Sequence, residues 1–357
     1  LYAMLANPSM DHTPTPKRYS TAFTVGCILA LNSATCTAFE FKLSTLFGFF
    51  EEEEERFERP IYPRRNLVED YGEDGYRALV SRALNQDPTE KANENAIDTY
   101  GVDVSFPTHY LEFPQHDGME SPEQPYASFL QGCKAYYRSK PDTCDESEMD
   151  RLDRNLNQPP VMQNYTEFGF QKTRLPEKAM KRLAKFWDEN EHLKMRERWQ
   201  DGDTHTNHWK SATHMINVEN PNLKGGGLGL KNMLWDAAHE SIQTWFGPDA
   251  DVSLAPASLY GIRVYGEGSV LAPHVDRLPL VSSAIINVAQ DVDEPWPLEI
   301  FGHDGKAYNV TLDVGEMLLY ESHSVIHGRP FPLKGNSYAN VFIHFEPAGH
   351  CSRHSAR

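Results

Sequence analysis

His274, Val275 and Asp276 put an imidazole and a carboxylate two positions apart. On a strand or at its end, side chains i and i+2 share a face, so both groups can converge on one ion. A third ligand must come from elsewhere. His327 follows the run Tyr320-Glu321-Ser322-His323-Ser324-Val325-Ile326 and stands after an expected strand. Two histidines and one carboxylate on one face leave three positions of an octahedral metal open, the arrangement by which proteins hold non-haem iron(II). A bidentate co-substrate and dioxygen need those positions. His323, four residues before His327, is the rival third ligand. His205 and His208 form another pair, but no carboxylate or cysteine stands at ligand spacing beside them, and they read as a loop or lid edge near the substrate. Neither a GxSxG nucleophile nor a zinc CxxC pair occurs in the chain.

The elements that must position these groups are short and strand-like. After residue 255, runs rich in β-branched and aromatic residues (LYGIRVY, SSAIINVAQ, PLEIFGH, AYNVTL, EMLLYES, YANVFIHF) alternate with turn signals such as Val314-Gly315. His303-Asp304 before Gly305 reads as a hairpin turn. Such spacing predicts a mainly β fold, a sandwich or jelly-roll barrel with flanking helices. One helix is expected over 176–194, with Met180, Leu183, Ala184 and Trp187 on its inner face, and another over 228–246, with Leu230, Leu234, Ala237 and Trp245 inward. Gly225 to Gly227 lack the GxxxxGK[ST] pattern and read as a flexible turn, not a phosphate loop. Trp209, Trp235, Trp245 and Trp296 are expected in the packing. Asn287, on the SSAIINV strand, lines the pocket or is a satisfied polar core residue.

The string YGEGSVLAPHVD, with Tyr265 nine positions before His274, resembles the YGxGxxxxPHxD stretch of the prolyl 4-hydroxylase-like family of Fe(II)/2-oxoglutarate-dependent oxygenases. Asp313 to Tyr320 resembles the turn and strand before that family's distal histidine. Pro330 and Gly335 follow His327 as they do there. The resemblance covers about residues 255–347 well and does not reach the first 150. It implies a double-stranded β-helix (jelly-roll) core, iron(II) on His274, Asp276 and His327, and 2-oxoglutarate hydrogen-bonded by Tyr265. The implied activity is hydroxylation of a C–H bond, with release of succinate and CO2 and support from ascorbate. Retention of Asp276 points away from the related halogenases, which lack this carboxylate. In one respect the chain departs from the family. An Arg or Lys is expected nine or ten positions after the distal histidine, to pair with the far carboxylate of 2-oxoglutarate, but Asn336 and Ser337 stand there. Lys334, on the same face as Asn336 of an extended segment, is the expected substitute, with Arg329 and Arg277 as further candidates. The implied substrate is a peptidyl residue such as proline. A small molecule is the alternative, and a non-catalytic scaffold that keeps the fold is a third reading.

The chain has 357 residues and a formal net charge of -17, which disfavours sequence-independent nucleic-acid binding and tolerates a basic peptide partner. Lys17 and Arg18 precede an apolar run over 21–31, with small residues around Cys36 to Ala38, so 1–38 reads as a signal peptide. The expected location is the secretory pathway, with a signal-anchored membrane or plastid route as the alternative. Residues 39–66 carry Glu51 to Glu55 and read as an acidic linker. Residues 67–158 are expected to be irregular or a small helical lobe, with no chemistry assigned. The oxygenase domain is expected over 159–350. In an oxidising compartment Cys133 and Cys144 can close a short loop, and Asn164 and Asn309 head N-x-S/T sequons.

Overall fold

The computed structural model describes residues 67–85, 106–108, 125–248, 250 and 252–348. All of them belong to one compact unit, Glu53–Arg357. The leader expected over 1–38 and the acidic linker over 39–66 lie outside the described residues. Among the described residues no helix is long and apolar enough to cross a membrane.

The strand-like runs pair as two antiparallel sheets. Their strands are β1 (Phe170–Arg174), β2 (Met195–Arg196), β3 (His214–Ile216), β4 (Leu254–Gly266), β5 (Leu271–His274), β6 (Ser282–Val292), β7 (Leu298–Phe301), β8 (Ala307–Val310), β9 (Glu316–Tyr320), β10 (His327–Arg329) and β11 (Gly335–Pro347). The larger sheet runs β1-β9-β6-β11-β4-β3-β2 and the smaller β5-β10-β7-β8. From β4 to β7 each successive strand changes sheet, and β9, β10 and β11 do so again. This alternation is the winding of a jelly roll.

Period-two patterning decides which side chains meet. On one face of the larger sheet, Ala284, Ile286, Met317, Leu319, Val341 and Ile343 pack beneath two helices, α4 (Glu177–Asn190) and α5 (Leu228–Phe246). On the other face, Ile285, Leu318 and Tyr320 meet Leu298, Ile300, Tyr308 and Val310 of the smaller sheet. Leu183, Leu230 and Leu234 are fully buried, as their helical spacing predicts, and Trp245 packs partly buried on the same cluster. Pro176 stands just before α4, where its missing N–H leaves no helical bond unmade. Gly247 ends α5 at φ 83°, a left-handed conformation that glycine adopts without strain. The expected hairpin at His303-Asp304 joins β7 to β8.

Residues 67–158 hold more order than their composition announces. They form α1 (Leu67–Leu84), α2 (Pro125–Tyr136) and α3 (Asp142–Asn157). Leu67, Val80 and Ala83 of α1 join the cluster between the sheets. Tyr126 and Phe129 of α2, with Phe106, cover Val270 and Ala272 beside and on β5. A Cys133–Cys144 disulfide ties α2 to α3. Asn309 lies within β8 at 7% exposure, so its sequon does not present a surface amide for a glycan; Asn164 is half-buried before β1.

Leu183 touches the sheet from the centre of α4, and truncating such a side chain leaves a cavity. Leu183→Ala is expected to lower the unfolding free energy by about 2–5 kcal/mol, read from the denaturant midpoint at unchanged slope.

Candidate metal centre

His274 and His327 are direct cross-strand partners on β5 and β10, with ring centroids 4.5 Å apart. Asp276 follows the end of β5, and its Oδ1 lies 3.6 Å from His274 Nε2. One ligand atom from each of the three side chains lies within 4.8 Å of the other two, so they can share one ion. Two imidazoles and a hard carboxylate suit iron(II) or another first-row divalent ion.

The hydrogen bonds of both histidines leave Nε2 as the atom that can face a metal. His274 Nδ1 faces Ala272 O at 2.8 Å and His327 Nδ1 faces Val325 O at 3.0 Å. A carbonyl only accepts, so Nδ1 carries the proton and Nε2 is left with its lone pair. Burial and the neighbouring His274 push His327 down to about 3, so it is neutral at neutral pH. Burial alone would raise the Asp276 carboxyl, but the imidazoles of His274 and His344 beside it hold it well below the usual carboxylate range. His344 Nδ1 lies 3.4 Å from Asp276 Oδ2 and 2.7 Å from Ser283 Oγ. Tyr320, its ring 4.7 Å from that of His327, is kept a neutral phenol by burial and by the Asp276 charge. His323 is not a ligand: Nδ1 meets Val281 O at 2.7 Å and Nε2 meets Gln163 O at 3.0 Å.

The backbone that carries His274 and Asp276 is clamped from α3. Asn155 Nδ2 donates to Pro273 O at 3.0 Å, and Asn155 Oδ1 accepts from Val275 N at 2.8 Å. Arg151 also donates to Pro273 O and is paired with Glu148, with both side chains buried. Gln158, just past the helix, donates to Asp276 O at 2.7 Å and His323 O at 2.8 Å. Asp276 N in turn donates to Ser322 O. The region assigned no chemistry therefore sets the geometry of two ligands.

The triad opens into a cavity of about 620 Å³, within the range of small-molecule and cofactor sites. One wall is α3. The other is the segment 197–205, pinned by Ala272 N donating to His205 O and by Thr204 N donating to Ser147 Oγ. His205 sits with its ring 4.4 Å from that of His274, and burial and His274 hold its pKa well below the usual value. Its partner in sequence is elsewhere: His208 bonds Tyr137 OH at 2.8 Å and stacks on Trp199. Arg263 lines the cavity in a bidentate pair with Glu197, at 2.6 and 2.9 Å.

The residues expected at 2-oxoglutarate scatter. Tyr265 is fully buried inside the barrel, with its ring 5.1 Å from Trp296. Lys334 points outward into an ion pair with Glu294 at 2.6 Å, its side chain 65% exposed. Asn336 is exposed and donates to Asp291 at 2.8 Å. The shared face predicted for these two is the solvent face, which corrects their assignment. Arg277 is exposed at the cavity mouth. Asn287 donates to Gln290 Oε1 and Leu312 O, and it takes no part in the cavity wall. Arg329 is buried inside the barrel. Arg263, two before Tyr265, and His344, in the alternation of YANVFIHF, had a readable signal in strand period; Asn155 had none, because its helix is separated from β5 in sequence.

No protein-family model matches the chain, and no curated protein matches it. Among solved structures it is similar to a Pseudomonas putida prolyl-4-hydroxylase, at 14% identity and TM-score 0.38 over 50% of this chain and 92% of that one. It is also similar to a prolyl hydroxylase from Trichoplax adhaerens in complex with a hypoxia inducible factor oxygen degradation domain peptide fragment, at 11% identity and TM-score 0.37 over 60% of this chain and 91% of that one. A third is HygX from Streptomyces hygroscopicus with nickel, 2-oxoglutarate and hygromycin B bound, at 13% identity and TM-score 0.34 over 51% of this chain and 84% of that one. These scores are low, and the functional assignment rests on the geometry of the site.

Two substitutions test that geometry. Asn155→Ala releases the Pro273–Val275 backbone and is expected to weaken Mn(II) affinity by about 10–100-fold, by calorimetry, with the helical circular dichroism unchanged. Gly328 packs so tightly that an added Cβ would fall 2.7 Å from Pro273 N. Gly328→Ala is therefore expected to part β10 from β5 and to lower metal affinity at least as far.

Proposed function

We propose that this protein is an Fe(II)- and 2-oxoglutarate-dependent oxygenase that hydroxylates a peptidyl residue. The observation that carries the proposal is the His274, Asp276 and His327 triad, with both histidine Nδ1 atoms held by backbone carbonyls, on the wall of a cavity that opens to solvent. When bound, iron(II) supplies the activation of dioxygen that couples decarboxylation of 2-oxoglutarate, to succinate and CO2, with hydroxylation of a C–H bond.

The chain's own residues provide the setting. His274 and His327 turn their Nε2 atoms away from the backbone carbonyls that hold Nδ1, and Asp276 presents an anionic oxygen, so assembly of the centre displaces no proton from His327 at neutral pH. His344 and Ser283 orient the Asp276 carboxylate. The α3 wall and the 197–205 segment narrow the approach of water. The volume of the cavity exceeds the needs of a small dicarboxylate, which leaves room for a substrate side chain entering from the mouth. Ascorbate would support turnover by keeping iron reduced. The same two walls favour a second reading, an oxygenase of this class whose substrate is a small molecule held within the pocket. The compartment we infer is oxidising, such as the secretory pathway, supported by the Cys133–Cys144 bond.

The test is succinate formation from 2-oxoglutarate by the purified chain with iron(II), ascorbate and oxygen. Succinate is expected to depend on each component and to fall to background in His274→Ala. A chain that binds no divalent metal would sink the proposal. Stimulation by a proline-containing peptide, but not by free amino acids, would separate the peptidyl reading from the small-molecule one.

A further inference from the structure

Arg329 stands two residues after His327 on β10, across a shift in the register with β5, and both side chains are buried. It is 1% exposed. Its guanidinium lies 4.6 Å from the ring centres of both Trp296 and Tyr338, and one nitrogen donates to Trp296 O. The other terminal nitrogen is buried with no hydrogen-bond partner, and no carboxylate among the described residues forms an ion pair with Arg329. A buried guanidinium with a donor left over is unfavourable, and an anion is a fitting partner for it. Close by, the Tyr265 hydroxyl is also buried without a hydrogen-bond partner. Tyr265 shares the Trp296 and Tyr338 cluster, is the cross-strand partner of Tyr338, and lies beside the Arg263 guanidinium, with Arg329 farther off.

The arginines that line the cavity are paired or exposed: Arg263 pairs with Glu197, Arg151 with Glu148 and Arg154 with Asp150, and Arg198 and Arg277 are exposed; Lys334 pairs with Glu294 at the surface. Phe342 packs on the Tyr265 cluster and also lines the cavity, so this cluster lies directly behind the cavity wall. A short dicarboxylate held at the metal ligand His327 would have its far end directed toward the part of β10 that carries Arg329.

We propose that Arg329, with the Tyr265 hydroxyl, binds the far carboxylate of 2-oxoglutarate and replaces the cation that the last strand lacks at Asn336 and Ser337. This rests on the co-substrate reading above. The structure thereby moves the role from Lys334 to a residue on the strand that also carries a metal ligand.

The test is anaerobic calorimetry on the full chain loaded with Mn(II), titrated with 2-oxoglutarate and with 2-oxopentanoate, which has the same length but no far carboxylate. The wild type is expected to prefer 2-oxoglutarate on the order of 100-fold. In Arg329→Gln that preference should vanish, through weaker 2-oxoglutarate binding, while Mn(II) and 2-oxopentanoate bind as before. Lys334→Ala should bind both acids like the wild type. Tyr265→Phe removes a single hydroxyl and serves if the arginine variant does not fold; about a tenfold loss confined to 2-oxoglutarate is expected. An unchanged preference in Arg329→Gln, or in Tyr265→Phe where that variant stands in, overturns the proposal and leaves the co-substrate reading standing. A wild-type chain that binds Mn(II) but neither acid overturns both.

Discussion

The antiparallel pairing of β5 with β10 is the contact on which the site depends. It brings His274 opposite His327 and leaves no space between the strands for anything larger than Gly328. Short strands hold register weakly by themselves, since β5 has four residues and β10 has three. The register is fixed from outside. Asn155 and Arg151 take the Pro273 carbonyl, Asn155 takes the Val275 amide, and Gln158 takes the Asp276 carbonyl. The smaller sheet is thus anchored to a helix that lies more than a hundred residues earlier in the chain. On the far side, β10 pairs with β7, and the hairpin to β8 packs Tyr308 and Val310 against the larger sheet.

Burial of charge is the second constraint. Most charges taken into this interior are matched. Arg151 sits with Glu148, Arg263 with Glu197, and the Glu321 carboxylate accepts from Tyr165 N, Thr166 N and Thr166 Oγ1. These pairs fix segments from different parts of the chain to one another more than they add net stability, because desolvation offsets much of the attraction. Against that background, Asp276 has only imidazoles beside it, and one terminal nitrogen of the Arg329 guanidinium makes no hydrogen bond. An anion on one side and a cation on the other is the polarity that a metal ion and a dicarboxylate would complete. Unsatisfied buried polar groups of this kind are expected at functional sites, where local stability yields to chemistry.

The sequence by itself determined the strands, because side-chain alternation along SSAIINVAQ, EMLLYES and YANVFIHF is a local property that survives into β6, β9 and β11. It determined the two helices, whose apolar faces recur at helical spacing, and it brought His274, Asp276 and His327 forward as one ligand set, because ligand chemistry restricts residue type. Three things were decided only by the tertiary structure. Which face of an extended segment looks inward is a property of the sheet, so Lys334 and Asn336 share a face as expected, but that face meets solvent. Which cation is left without a carboxylate depends on partners distant in sequence, and that separates Arg329 from Arg263. Finally, α3 is an acidic helix with little apolar patterning, and its worth lies in Asn155 and Arg151 reaching backbone atoms of residues 273 and 275. Hydrogen bonds to a distant backbone leave no period and no motif, so only the folded chain reveals them.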